Sequence, residues 1–98
     1  RILIQENENT IGFTLAGRLV GPWAAELDRA WKESLTRLNG KKLSLDLRDV
    51  TYSDVEGKRV LREMFNHSQA EFITHSDWSH HLADEIRNFN GVYARGRS

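Results

Sequence analysis

The side chains best suited to chemistry lie in one segment, residues 46–57, which joins a predicted strand to a predicted helix. Such a segment lies at the carboxyl edge of a sheet, where helix N-termini expose unpaired N–H groups and a positive dipole end. Its four carboxylates could serve an enzymatic or small-ligand site if they shared a pocket that raised their pKa values. They belong to Asp46, Asp49, Asp54 and Glu56. An exposed, convex segment would instead favour recognition of another protein.

The start of the helix within this segment has two notable features. Ser53 and Glu56 have the spacing of a capping box, in which each side chain binds the other residue's backbone N–H, and Asp54 is a rival cap. Gly57 falls in the first turn, although glycine inside a helix costs about 1 kcal/mol relative to alanine. Such a glycine indicates close backbone approach by the chain itself, a ligand or a partner. The simplest interpretation is a capped helix with a packing glycine.

The histidines do not form a metal-binding or catalytic motif. His80 and His81 are adjacent, so on a helix they point about 100° apart and cannot form the i,i+4 pair of a zinc site. His67 and His75 stand apart from them. The sequence contains no HExxH motif, no phosphate-cradling glycine loop and no G-x-S-x-G motif. We therefore expect no catalytic residue, no metal and no cofactor.

Charge and composition restrict the classes of partner. Fourteen basic and fourteen acidic side chains give zero formal charge without a basic run, so nucleic acid is not an expected partner. The chain has no cysteine, which excludes disulfides and suits the cytoplasm. No apolar stretch approaches the roughly 20 residues that cross a bilayer, so membrane insertion is not expected. The 98 residues fit a single domain spanning residues 1–98.

The elements that position the segment follow from hydrophobic periodicity. Alternating or short apolar runs predict four strands, at residues 2–7, 10–15, 42–50 and 70–74. The first two form a hairpin, residues 17–21 form a connector, and the third strand lies near the sheet centre and ends in a polar turn. Apolar residues at three- and four-residue spacing predict three helices, at Pro22 to Leu38, at residues 54–67 and from Ser76 or Asp77 onward. The order ββαβαβα predicts an α/β fold with helices packed on a mixed sheet of about four strands.

The tryptophans are assigned mainly to the core. Trp23 and Trp31 lie eight residues apart on one face of the first helix, and the alternative is that one of them belongs to a binding surface, where tryptophan is enriched. A stripe on the last helix is also predicted to be buried; it consists of Trp78, Leu82, Ile86 and Phe89.

The chain resembles the STAS family, the domains of anti-sigma factor antagonists and sulfate-transporter tails. Residues 15–19 (LAGRL) resemble the glycine-containing end of the family's second strand, and residues 43–57 resemble its strand L-x-L-D-L-S-x-V-x-F followed by D-S-S-G at a helix start. The match covers about residues 2–89. The resemblance implies a non-enzymatic, cytoplasmic, bacterial regulatory domain that binds a kinase-like anti-sigma factor. It equally admits an accessory subunit of an ABC-type transport system.

The family motif is incomplete at its phosphorylated serine. Asp54 and Gly57 match the first and last residues of D-S-S-G, whereas Val55 and Glu56 fall where the two serines would be. In the antagonists the partner phosphorylates the first serine, and valine has no hydroxyl to accept a phosphate. Glu56 carries one negative charge where phosphoserine carries about −1.5 to −2, so it is at most a partial mimic. Ser53 is the alternative phosphorylation candidate, although capping is its simpler role.

These observations predict a partner-binding surface at residues 52–58 together with one residue of the following helix turn. Its residues are Tyr52, Ser53, Asp54, Val55, Glu56, Gly57, Lys58 and Arg62. Lys58, Arg59 and Arg62 form a basic strip that could meet an acidic partner. Fuller family members continue beyond this length, so residues 90–98 are expected to form a tail or an edge strand at 91–94. Missing cover would leave apolar surface for a partner or for a homodimer.

Overall fold

Seven elements follow one another in the order ββαβαβα in the structure, a computed structural model that describes the backbone of residues 1–96 and the side chains of residues 1–88. The strands are β1 (Ile2–Glu6), β2 (Thr10–Leu19), β3 (Lys42–Ser53) and β4 (Glu71–Ile73). The helices are α1 (Gly21–Leu38), α2 (Val55–Ser68) and α3 (Asp77–Gly96). The predicted α/β class and order of elements are confirmed.

The four strands described form one mixed sheet in the order β1-β2-β3-β4. β1 and β2 are antiparallel because a tight turn joins them: the Asn7 side-chain oxygen accepts the backbone N–H groups of Asn9 and Thr10, both at 2.8 Å. β2, β3 and β4 are parallel, since helices α1 and α2 provide the crossovers that parallel neighbours require. The C-terminal ends of β2 and β3 therefore lie at one edge of the sheet, which we call the carboxyl edge.

One face of the sheet carries the hydrophobic core. Alternation along β2 and β3 places six fully buried side chains on this face: Ile11, Phe13, Leu15, Leu43, Leu45 and Leu47. Buried residues of all three helices belong to the same cluster, so the helices pack on this face. Among the helices within residues 1–96, none is long and apolar enough to cross a membrane.

Both central strands run further than their sequence pattern predicted. The connector expected at residues 17–21 is wrong up to Leu19, because Arg18 and Leu19 extend β2 and pair with Tyr52 and Ser53 of β3. The register shifts between Thr14 and Ala16 and again between Gly17 and Arg18, and at both places the extra residue lies in β3. Burial along β3 therefore changes from a two-residue spacing to the three-residue spacing of Leu47, Val50 and Ser53. The polar turn expected after residue 50 is likewise part of β3.

The C-terminal segment and the last helix also differ from expectation. α3 runs through Gly96, so the edge strand expected at residues 91–94 is wrong; residues 97–98 lie outside the described ones. Extending a formed helix adds a hydrogen bond per residue, which an isolated four-residue strand does not gain. Leu82 and Ile86 are buried as predicted, whereas Trp78 is exposed and the side chain of Phe89 lies outside the described ones.

Candidate functional site

Asp54 fixes the geometry of the candidate site by capping two helices. Its Oδ1 accepts the backbone N–H of Gly57 at 2.8 Å, which caps α2, and its Oδ2 accepts the backbone N–H of Gly21 at 3.1 Å, at the start of α1. The Asp54 N–H donates to the carbonyl oxygen of Leu19 at 3.1 Å. These hydrogen bonds, from Gly57 first and then Gly21, hold the pKa of the Asp54 carboxyl below its usual value. The end of β2 and the starts of two helices therefore meet at one carboxylate.

The capping box predicted for Ser53 and Glu56 does not form. Ser53 is buried and its hydroxyl donates to the Asp54 carbonyl oxygen at 3.2 Å, while Asp54 supplies the cap. Glu56 faces along the helix surface, where its Oε1 accepts from Nε of Arg59 at 2.9 Å. Aspartate is a preferred N-cap whose carboxylate reaches the N3 amide directly, so the rival prediction for Asp54 is the correct one.

Gly57 is packed against the chain itself. A Cβ at this position would lie 2.6 Å from the backbone oxygen of Leu19 and 2.9 Å from its Cγ, and it would clash most severely with the Ser53 hydroxyl. The close backbone approach inferred from the sequence is therefore that of α2 to the end of β2. The structure gives an internal reason for this glycine.

The residues flanking the cap are presented to solvent. Val55 opens α2 with 75% of its surface exposed, and Tyr52 is 47% exposed at the end of β3. The guanidinium of Arg18 lies over the Tyr52 ring, 5.2 Å from its centroid, in cation–π geometry. Backbone anchored by Asp54 thus carries exposed apolar side chains on both sides of the cap.

Lys58 and Arg59 of the basic strip on α2 pair with acidic groups of the same chain. Lys58 Nζ lies 3.1 Å from Glu85 Oε2 of α3, so this pair joins two helices. Arg59 pairs with Glu56 and also with Glu63, at 2.7 Å for the latter. The hydrogen bond to Glu56 is the main cause that raises the pKa of Arg59. Arg62 is half-buried on the same helix.

Asp46, one of the carboxylates proposed for an enzymatic or ligand site, lies far from Asp54 and Glu56 at the start of α2. Asp46 and Asp54 are eight positions apart along an extended strand, about 25 Å at the usual rise per residue. Asp46 pairs with Arg48 through two hydrogen bonds of 2.8 and 3.1 Å, and the side-chain hydrogen bond from Arg48 is the main cause that lowers the pKa of Asp46. The pKa values of both Asp46 and Asp54 are therefore lowered, opposite to the raised values that such a site would need.

The structure adds a groove that the sequence prediction missed. A cavity of about 210 Å³ lies between the end of β3, the first turn of α2 and the start of α3. Its lining residues are Tyr52, Ser53, Lys58, Trp78, His81, Leu82 and Glu85. Trp78 is 39% exposed and forms part of this wall instead of the core. The signal available in the sequence was the spacing of residues 78, 81, 82 and 85, which places them on one face of α3.

Three of the histidines have different surroundings. His80 Nδ1 lies 2.7 Å from the Thr74 hydroxyl, and the His67 ring packs edge-on against Trp31 with centroids 5.5 Å apart. His81 borders the groove. Within the part of the chain that the structure describes, no group of three or more histidines and carboxylates could hold a metal ion.

Fold and site together define an α/β domain in which two helix starts meet at the carboxyl edge of a mixed sheet. Among solved structures, the chain is similar to the anti-sigma factor antagonist SpoIIAA in its unphosphorylated form, with a TM-score of 0.64 and 7% identity over 89% of this chain and 98% of that one. It is also similar to Mglu, with a TM-score of 0.60 and 17% identity over 76% of this chain, although it spans only 19% of that chain. No protein-family model and no curated protein matches the sequence. The chain has a STAS-like fold.

Proposed function

We propose that this chain is a non-enzymatic STAS-like interaction domain of bacterial cytoplasmic regulation, which binds a protein partner through residues 52–58. The observation that carries the proposal is Val55, an apolar side chain 75% exposed at the first position of α2. Asp54 holds this position rigidly by capping two helices. A preformed, exposed apolar group on rigid backbone lowers the ordering cost of binding, which is what a recognition surface requires.

The likeness in fold to an anti-sigma factor antagonist supports a regulatory role in which the partner is another protein. The separation of Asp46 from Asp54 and the lowered pKa values of both carboxyls favour this role over an enzymatic one. Tyr52 and Lys58 lie on either side of Val55 in sequence and both line the neighbouring groove, so they belong to the proposed surface. Arg62, one helical turn further on, extends it.

The proposed surface has no phospho-switch at position 55. Val55 offers no hydroxyl, and Ser53 is buried with its hydroxyl donating to the Asp54 carbonyl oxygen, which limits its access to a kinase. Glu56 does not present an isolated negative charge either, because Arg59 compensates it at 2.9 Å. Binding is therefore constitutive at this surface.

The test is site-specific cross-linking followed by reconstitution. A photo-reactive amino acid is placed at Val55 and, as the matched control, at Asn66, which is exposed at the other end of the same helix. We expect one partner to cross-link at position 55 and not at position 66, and mass spectrometry then shows whether it is an anti-sigma factor or a transport subunit. With that partner purified, Val55→Asp should weaken binding at least about tenfold, since a charge placed in an apolar contact costs more than 1.4 kcal/mol.

Two results would contradict the proposal. Equal affinity of the wild type and Val55→Asp for the purified partner would show that the surface lies elsewhere. Stoichiometric phosphate on residues 51–53, after incubation with a partner kinase and Mg-ATP, would show that a switch exists despite the valine.

A further inference from the structure

Arg18 is a basic residue of the carboxyl edge that lies outside the surface predicted from the sequence. It is exposed near the end of β2, and in the parallel register it pairs with Tyr52 of β3. Its guanidinium lies over the Tyr52 ring, 5.2 Å from the ring centroid. The carbonyl oxygen of the next residue, Leu19, accepts the backbone N–H of Asp54 at 3.1 Å. Arg18 therefore borders the proposed binding surface at residues 52–58.

The positive charge of Arg18 is not compensated by an acidic side chain. Among the side chains that the structure describes, no carboxylate forms an ion pair with Arg18. Lys58, which lines the groove, pairs instead with Glu85 at 3.1 Å. Asp77 also has no basic partner in the same part of the chain, but it lies in the first turn of α3, where the positive end of the helix dipole favours a carboxylate. The charge of Arg18 is thus available to another molecule.

The contact with Tyr52 prepares the guanidinium for recognition. A guanidinium carries five N–H donors in a planar fork, which matches a carboxylate through two parallel hydrogen bonds. None of these donors of Arg18 forms a hydrogen bond to a described residue. Because the aromatic ring already supports the long side chain, less conformational freedom is lost when the side chain binds a partner.

The surroundings of Arg18 select the chemistry of the occupant. The groove beside Tyr52 has a volume of about 210 Å³, below the roughly 300–1,000 Å³ of small-molecule pockets, so it suits one side chain of a protein. Val55 and Trp78 add exposed apolar surface. One guanidinium matches the charge of one carboxylate, whereas phosphorylated segments are bound by clusters of arginine.

We propose that Arg18 binds the carboxylate of an aspartate or glutamate in the protein partner. An apolar side chain of the same partner segment enters the groove beside Tyr52. This inference rests on the proposed function, because it gives the chemistry of the partner at that surface. Arg18 then determines specificity, since a partner without the carboxylate leaves the guanidinium without its ion pair.

Selection from a phage library of random heptapeptides tests the proposal before the partner is known. On the immobilised chain, we expect acidic residues next to large apolar ones to be enriched at least about twofold over the starting library. On Arg18→Gln this enrichment should disappear. On Asp77→Asn, the matched control that removes an exposed charge of the neighbouring helix, it should persist.

A double-mutant cycle with one selected peptide then measures the contact by fluorescence anisotropy. The peptide is synthesised with its acidic residue and with the corresponding amide. Arg18→Gln should weaken binding of the acidic peptide at least about tenfold, and binding of the amide peptide less than about threefold. Arg18→Lys keeps the charge and lacks the fork, so its affinity for the acidic peptide should lie between those of the wild type and Arg18→Gln. Far-UV circular dichroism confirms that the variants are folded.

The outcomes separate this proposal from the proposed function. A selection that yields no peptide, selected peptides without acidic residues, or equal weakening of the acidic and amide peptides in Arg18→Gln overturns the role of Arg18. Val55→Ser, which removes apolar surface without adding charge, tests the surface at residues 52–58 independently. An acidic peptide that is coupled to Arg18 and binds Val55→Ser as tightly as the wild type supports the role of Arg18 and contradicts that surface.

Discussion

Replacing Gly57 by alanine sets two effects of known sign against each other. Alanine is a better helix former than glycine by about 1 kcal/mol, so at an open position in α2 the change would stabilise the protein. At position 57 the added methyl group would lie 2.6 Å from the Leu19 carbonyl oxygen and 2.9 Å from the Leu19 Cγ. The stability of Gly57→Ala therefore shows whether the gain in helix propensity or the steric clash with Leu19 is larger at this position.

Packing should prevail because the obstructing atoms cannot move freely. The Leu19 oxygen is a backbone atom of β2 that accepts the Asp54 N–H at 3.1 Å, and Leu19 itself is buried. Overpacking of this kind typically costs about 1–3 kcal/mol. Because a backbone atom obstructs the added methyl group, we expect Gly57→Ala to cost about 3 kcal/mol, the upper end of this range. After the gain of about 1 kcal/mol in helix propensity, we expect the free energy of unfolding to fall by about 2 kcal/mol. For a domain of this length the melting temperature then falls by about 10 °C.

Urea denaturation followed by circular dichroism measures this loss, and an unchanged m-value shows that both proteins unfold in the same way. The matched control is Gly12→Ala in β2, where an added Cβ would meet only the Gln5 carbonyl oxygen, at 3.8 Å. Its stability should be unchanged or raised by up to about 1 kcal/mol. If Gly57→Ala were as stable as the wild type, the close approach of α2 to the end of β2 would be wrong.

Three further changes have definite expected results. The pKa of Asp54 is lower in the folded protein than in the unfolded chain, where it is near 3.8. The ionised carboxylate therefore stabilises the fold above pH 3.8, and this stabilisation is lost as the pH falls below that value. Between pH 5 and pH 3, the free energy of unfolding measured by urea denaturation should fall less in Asp54→Asn than in the wild type. Leu45→Ala removes a fully buried side chain and should lower the free energy of unfolding by about 2–5 kcal/mol in the same assay. Val55→Ser alters an exposed position and should change the free energy of unfolding by less than about 0.5 kcal/mol. A purified partner kinase should phosphorylate position 55 in this variant and not in the wild type.

Elements whose burial repeats regularly were predictable from the sequence. The apolar spacing of α1 located that helix to within one residue of its start, and the alternation of residues 43–47 located the core face of β3. Bulges were not predictable, since the two register shifts place the extra residues in β3 and end its two-residue period at Leu47. The end of β3 was therefore mistaken for a polar turn. The end of β2 was predicted as a connector because Gly17 and Arg18, which are exposed, interrupt its apolar run.

The candidate site was predictable in position and only partly in geometry. The pattern of residues 53–57 located the helix start, yet the hydrogen bond from Gly21 to Asp54 joins residues 33 positions apart, which no local pattern reveals. Trp78 was assigned to the core because it shares helical spacing with Leu82 and Ile86. In the fold it lies in the first turn of α3, where it is exposed and forms a groove wall instead.

The four residues 54–57 divide by physical role. Asp54 and Gly57, which match the ends of the D-S-S-G pattern, both serve the fold: one carboxylate caps two helices, and one missing side chain lets α2 approach β2. Val55 and Glu56 hold no such position, since one side chain is exposed and the other is paired on the helix surface. The two positions at which the pattern has serine are therefore open to change without disturbing the scaffold, whereas replacing the aspartate or the glycine would disturb the scaffold itself. The geometry on which the proposed binding surface depends is consequently independent of whether position 55 carries a hydroxyl.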